Sequence, residues 1–290
     1  MKADNFNLQT YLQRIGFDGV PHDDLQTLTA LMRRQLFSVP FENLDVQAGK
    51  AISMAPEAIV EKIVERGRGG YCYEVNGLFA MALEALGVDY QFVACRPMTY
   101  PVLRPRTHMA LAVELEGESW LCDLGFGSYG IRAPLRLADS GTEVRQGSDT
   151  FLLERPNERE YVLKARVDGE WANQYGFDLW PQQWIDFVPA NYLNCTHPEA
   201  LFVQKLVVVL HAPDGRSILV GNQFKRVRGG EVETRTIPDE EIGGLLRNAF
   251  GLSVDDEGLF VGISKTPSFV VPAPAGTQSN QSTGSPPARG

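Results

Sequence analysis

Cysteine is scarce in this chain: four occur in 290 residues, and none forms a C-x-x-C pair. That excludes a disulfide framework and the usual structural zinc spacing. Histidine is equally sparse, and His22, His108, His197 and His211 lie far apart, so no metal site is expected. Basic residues fall short as well, with 27 Lys and Arg against 36 Asp and Glu and a net charge of −9. This balance argues against nucleic acid or an anionic membrane as a partner. No apolar run reaches the roughly 18 residues of a membrane helix. The opening stretch from Met1 to Asn7 has no signal-peptide apolar region, and no internal repeat is visible. A reducing cytoplasm is the expected compartment. With 43% hydrophobic and 22% charged residues, the composition is that of an ordinary globular protein, long enough for one to three domains.

What is present is first helical. Leu8, Tyr11, Leu12 and Ile15 form one stripe that stops at Gly16, and Leu25, Leu28, Leu31, Met32 and Leu36 form a second that ends before Pro40. A third opens on Pro56 and carries Ile59, Val60, Ile63 and Val64. The fourth is the most informative. Arg68-Gly69-Gly70-Tyr71-Cys72-Tyr73-Glu74-Val75-Asn76 sets one cysteine after a glycine turn, at the head of a periodic run through Leu86 that stops at Gly87. A helix start offers free N–H groups and the positive dipole end, which favour a thiolate. Arg66 and Arg68 are expected to push the same way. The plainer alternative is a small buried residue beginning a helix.

From Tyr90 to about Phe224 the pattern changes to short strands. The expected spans are 90–99, 107–115, 120–124, 150–153, 161–166, 205–211 and 217–220, with turns at Asp168-Gly169 and Asp214-Gly215. Thr107–Leu115, Glu116-Gly117-Glu118 and Ser119–Gly127 read as a hairpin. An even-length loop puts His108 and Asp123 on one face, offset along the strands, so that a bulge near Gly125 or Gly127 is expected to bring them together. A nucleophilic cysteine needs an imidazole, and the imidazole needs a carboxylate. Cys72, His108 and Asp123 supply that set. A further helix is predicted from Ile237 through Phe250, and residues beyond about 271, rich in Pro, Gly, Ser and Gln, are expected to be disordered.

The Arg68–Asn76 segment resembles the active-cysteine motif of the arylamine N-acetyltransferases. Three further stretches are similar to that family's segments, in the same order: Val39-Pro40-Phe41-Glu42-Asn43-Leu44, then Thr107-His108 with Cys122-Asp123-Leu124-Gly125-Phe126-Gly127, then Asn191-Tyr192-Leu193-Asn194-Cys195-Thr196-His197-Pro198 with Phe202. The last resembles a later barrel segment, with Cys195 in place of the usual serine. The match runs from about residue 7 to about residue 265.

The resemblance implies an α+β fold: an N-terminal helical bundle (1–88), a central β-barrel (89–205), a C-terminal α/β lid (206–271) and a tail (272–290), with a papain-like Cys-His-Asp triad. It implies acetyl transfer from acetyl-CoA to an arylamine or arylhydrazine through an acetyl-cysteine, without metal or prosthetic group. It assigns Phe41, Thr107, Phe126 and Phe202 to the acceptor pocket, and Thr107 and Gly127 to contacts with CoA. Arg96, Arg104 and Arg106 stand near His108, and Arg104 is taken as a CoA-phosphate contact. Glu42 and Arg68 are implied to form a bracing ion pair. Cys95, Cys122 and Cys195 read as packing residues, His197 as a loop residue, and His22 and His211 as surface residues. Two other classes remain open: a cysteine hydrolase or transglutaminase-like enzyme, and a binding module that keeps the fold without the chemistry.

Overall fold

The computed structural model describes residues 1–253. The expected tail 272–290 and the end of the expected lid lie outside them. Helices α1 (Leu8–Arg14) and α2 (Leu25–Ser38) begin on Asn7 and Asp24, whose side chains accept from the Thr10 and Thr27 backbone N–H groups, the usual stabilisation of a helix start. Strand β1 (Phe41–Glu42) and the short α3 (Leu44–Gln47) follow, then α4 (Pro56–Val60), which opens on proline and continues as a π turn over Glu61–Glu65. Helix α5 (Cys72–Leu86) ends on Gly87 at φ 71°, the left-handed cap that its sequence announces. Twelve of its fifteen residues are buried, so it is the central helix of the core.

Eight antiparallel strands form the larger sheet: β2 (Asp89–Pro97), β3 (His108–Leu115), β4 (Glu118–Cys122), β5 (Leu135–Arg136), β6 (Glu143–Gln146), β7 (Asp149–Glu154), β8 (Glu160–Val167) and β9 (Glu170–Asp178). Their order is β5-β4-β3-β2-β9-β8-β7-β6. The edge strands β5 and β6 are joined through a side chain. Gln146, buried at the end of β6, accepts from the N–H groups of Arg132 and Ala133 and donates to the Ala133 carbonyl. Those contacts nearly close the sheet into a barrel.

The smaller sheet runs β1-β10-β11-β12-β13, with β10 (Val207–Ala212), β11 (Gly215–Val220), β12 (Gln223–Arg228) and β13 (Glu231–Thr236). Strand β1 therefore carries the N-terminal region into this sheet, across the division that the sequence suggests at residue 206. Helix α8 (Ile242–Phe250), ending on Gly251, covers a second core of Leu206, Val208, Leu219, Phe224 and Leu246. Between the sheets lie α6 (Val188–Thr196) and α7 (Leu201–Gln204). The Asn191–Thr196 stretch is thus helix rather than barrel strand, because Val188-Pro189 starts a turn and both Asn191 and Asn194 face inward to bond backbone carbonyls. Strands β9, β12 and β13 were not expected from the pattern. Among the described residues no helix is long and apolar enough to cross a membrane.

The barrel seam yields a direct test. Gln146→Leu keeps volume but strands two buried N–H groups and a carbonyl, at a cost of about 3 kcal/mol or more. Urea unfolding should report that loss, and a change under about 0.5 kcal/mol would show that Gln146 does not hold the edges together.

Candidate active site

The chain reaches the site through the Gly69-Gly70 turn. Gly70 accepts from the Glu42 N–H at 3.0 Å and donates to the Pro40 carbonyl at 3.2 Å. A Cβ on Gly69 would lie 2.0 Å from the Pro40 oxygen, so only glycine fits. Beneath this turn sits a cluster of buried charge. Arg68 donates to Glu42 Oε1 through Nε (3.1 Å) and Nη2 (2.8 Å), and reaches Asp45 at 3.5 Å. Lys62 Nζ lies 2.6 Å from Asp45, 2.8 Å from Glu74 and 3.9 Å from Glu42. The other Glu74 oxygen accepts from the Tyr71 N–H at 3.0 Å, which caps the start of α5. Burial works against the Lys62 cation, but the surrounding carboxylates outweigh it and raise its pKa. The Glu42–Arg68 pair stands as expected; Lys62, Asp45 and Glu74 were missed. A lysine within an apolar stripe reads as solvent-facing, whereas Lys62 lies in the π turn at 61–65 and is buried.

Cys72 opens α5 and is 3% exposed. The hairpin that faces it has a two-residue turn at Glu116 (φ 55°) and Gly117 (φ 76°) and pairs Leu111 with Cys122. By that register Asp123 falls opposite Ala110, one diagonal step from His108 on the same face. No bulge is required. His108 Nε2 and Asp123 Oδ2 are 2.8 Å apart and both groups are buried. The Nδ1 atom remains for a proton from the thiol side. The loop after Asp123 presses on α5: a Cβ on Gly125 would sit 2.5 Å from the Cys72 Cα, and the Gly125 N–H donates to Asp123 Oδ1 at 2.9 Å.

Asn76, one turn beyond Cys72, completes the contact. It donates to the Met109 carbonyl (2.7 Å) and Asp123 Oδ1 (3.2 Å) and accepts from the Leu124 N–H (2.9 Å). It also was missed, although a polar residue four positions after the cysteine in an apolar helix was a usable signal.

The electrostatics correct one expectation. Burial, then the Asp123 charge, push the Cys72 thiol up, against smaller opposing effects of the Met109 and Tyr73 N–H groups. Neither arginine relieves this, since Arg68 faces Glu42 and Asp45 and Arg66 lies beside Glu61. Helix start and arginine alone therefore do not favour a thiolate here. For Asp123, burial raises the carboxyl, but His108 and the Gly125 N–H together hold it below its usual range.

Cys72 and His108 open onto a cavity of about 500 Å³, walled by Phe41, Phe126, Phe202 and Leu193, with Thr107 and Gly127. Phe126 lies against His108 (ring centroids 5.1 Å apart), and Phe202 against Phe41 (5.7 Å) and Tyr71 (5.6 Å). Gly127 meets the Phe41 ring, where a Cβ would be 2.9 Å away. The Thr107 carbonyl receives Tyr73 Oη (3.0 Å) and Asn194 Nδ2 (2.9 Å). Of the three arginines near His108, Arg106 pairs with Asp178 and Arg96 donates to the Arg104 carbonyl, while Arg104 lines the cavity over Tyr100. His197 lies on the rim and His22 is exposed, but His211 is buried rather than at the surface.

A family profile described as N-acetyltransferase matches residues 24–259. The arylamine N-acetyltransferase of Escherichia coli is 35% identical over 86% of this chain and 90% of its own length. That of Mycolicibacterium smegmatis is 34% identical over 86% and 93%. The chain belongs to the arylamine N-acetyltransferase family. Solved structures agree: the Mycobacterium tuberculosis enzyme superposes with a TM-score of 0.85 at 30% identity, covering 89% of this chain and all of that one. The Mycobacterium marinum enzyme in complex with CoA gives 0.82 at 32% identity over 88% and 97%.

Two outcomes follow from these electrostatics. Lys62→Met leaves buried Glu42 and Glu74 and half-buried Asp45 facing Arg68 alone and should cost about 3–5 kcal/mol, read by chemical denaturation; under about 1 kcal/mol would mean that the cluster is not coupled. Separately, wild-type Cys72 should react with iodoacetamide near neutral pH. In His108→Gln the raised thiol pKa stands alone, so alkylation should appear only above about pH 9. Equal profiles for the two proteins would remove His108 from the role of base.

Proposed function

We propose that this chain moves an acetyl group from acetyl-CoA to the nitrogen of an aromatic amine or hydrazine, in two half-reactions through acetyl-Cys72. The observation that carries this reading is the His108–Asp123 pair at 2.8 Å opening with Cys72 onto one aromatic-walled cavity. The relatives named above support the donor and acceptor classes. A free nucleophilic thiol suits a reducing cytoplasm, and all four cysteines are free.

In the first half-reaction His108 takes the Cys72 proton and the sulfur attacks the thioester carbonyl. The tetrahedral oxyanion collapses, CoA leaves as its thiol with the proton returned by His108, and the acetyl group stays on Cys72. Backbone N–H groups of the Cys72 region are the proposed oxyanion donors. In the second half-reaction the neutral amine attacks the acyl carbon, His108 accepts its proton, and the Cys72 sulfur departs. An aromatic amine is neutral at pH 7 and keeps the lone pair that attack requires. Its ring fits the slot formed by Phe41, Phe126 and Phe202. Arg104, facing the cavity beside Tyr100, and the Thr107–Gly127 edge are the assigned CoA contacts.

Acetyl-CoA alone should release about one equivalent of CoA and add one acetyl mass to the Cys72 peptide. Double-reciprocal plots with both substrates should be parallel. Cys72→Ala should abolish transfer, while Cys95→Ala, Cys122→Ala and Cys195→Ser keep most of it. Intersecting lines without an acyl-enzyme would mean direct transfer, and steady acetate release without amine would mean a hydrolase.

A further inference from the structure

A second group of buried charges lies behind the pocket wall, and the reaction above does not use it. Asp149, at the start of β7, faces Arg132 Nε at 2.8 Å and also takes an ion pair from Arg216 Nη2. Arg216 is 2% and Arg132 3% exposed. Arg132 Nη1 donates to the Ala212 carbonyl at 3.0 Å, so its bonds stay between the barrel and the end of β10. Arg216 turns the other way. Its Nη1 donates to the Ser128 carbonyl at 3.3 Å, and its guanidinium carbon lies 4.5 Å from the centre of the Tyr129 ring.

Ser128 follows Phe126 and Gly127, and all three line the cavity. On the other side of this segment Gly127 touches the Phe41 ring. Burying an arginine is costly, and an apolar residue of similar volume often stabilises such a junction at least as well. Here the guanidinium supplies what an apolar side chain cannot, a donor to a loop carbonyl and a flat cation on a loop ring, and the Asp149 carboxylate fixes its orientation.

We propose that Arg216, oriented by Asp149, is a positioning residue that holds the 126–130 segment and so sets the Phe126 wall of the acceptor slot. Through it the smaller sheet, which touches no reacting atom by this route, adjusts how tightly the aromatic amine is held. The inference rests on the acetyl-transfer reading of that slot. It differs from a plain sheet-to-sheet brace, which would leave substrate affinity alone.

The test compares Arg216→Met, Tyr129→Ala and Tyr129→Phe with 4-methoxyaniline as acceptor. Arg216→Met and Tyr129→Ala should each raise the amine KM about tenfold with kcat within about twofold, and Tyr129→Phe, which keeps the stacked ring, should restore the wild-type KM. Iodoacetamide reactivity of Cys72 should not change, and amide hydrogen exchange should quicken in residues 126–130 but not at the start of α5. An unchanged KM in folded Tyr129→Ala overturns the proposal. So does a KM rise matched by lost Cys72 reactivity, which marks general loosening. If Arg216→Met fails to fold, the two Tyr129 variants decide. If the wild type does not acetylate the amine, the acetyl-transfer reading fails, and exchange in 126–130 decides positioning alone: acceleration in Tyr129→Ala supports it, and no change overturns it.

Discussion

The buried ion cluster under the Gly69-Gly70 turn is the constraint on which the site depends. Three carboxylates (Glu42, Asp45 and Glu74) meet two cations (Lys62 and Arg68) with little solvent between them. Such a group is a costly way to gain stability, since each charge gives up its hydration. What it gains is direction. Glu42 belongs to β1, Asp45 to α3, Lys62 to the π turn and Glu74 to α5, so one set of bonds fixes four elements around one turn. Glu42 also accepts from the Leu44 N–H at 2.7 Å, and Glu74 caps the Tyr71 N–H. Rotation of α5 about its axis would break both ends of that arrangement.

Helix α5 then orders the rest of the site. Cys72 and Asn76 lie one turn apart on the same face, and Asn76 bonds both Asp123 and the backbone on either side of the hairpin. Cys72 and Asp123 are therefore referenced to one rigid element, and His108 needs only the diagonal step between β3 and Asp123. Gly125 permits this closeness, because any side chain there would collide with α5. The hairpin is held by its own register as well as by the helix, so the imidazole has little room to turn away from either neighbour.

Sequence periodicity carried the parts of this fold that are locally self-consistent. Helices α2 and α5 and the β3–β4 hairpin have regular spacing and plain stop signals and appear where the pattern puts them, whereas α8 ends as expected at Gly251 but starts at Ile242 rather than Ile237, after a 3-10 turn over Asp239–Glu241. Strand β9 was invisible because Asn173, Gln174 and Gly176 interrupt its alternation, and it is made a strand by β2 and β8 on its two sides. Strands β12 and β13 are rich in charge, with β13 exposed throughout and Phe224 the one buried residue of β12, so no apolar alternation announced them. Cys72, His108 and Asp123 were legible as a candidate set because each sits in a distinctive local setting, and the structure places His108 beside Asp123 and lines one cavity with Cys72 and His108. Lys62, Arg132, Arg216 and His211 were not. A charged side chain reads as solvated until its partner is known, and for Arg216 the partners lie at Asp149 and Ser128, distant in sequence. Partners of that kind belong to the fold, not to the motif.

The burial that raises the Cys72 thiol also fits the proposed intermediate. In the proposed reaction a cavity walled by Phe41, Phe126 and Phe202 favours an aryl ring over water beside the acyl-cysteine. Dryness has a cost, since it disfavours the thiolate on which the first step depends. In the proposed mechanism the His108–Asp123 pair offsets that cost locally: the thiol proton would move onto an imidazole whose carboxylate is hydrogen-bonded and held below its usual range. A more open site would ionise its thiol more easily and protect its acyl-enzyme less well. Cys72 is buried, and the proposed mechanism relies on the His108–Asp123 pair to compensate for that burial.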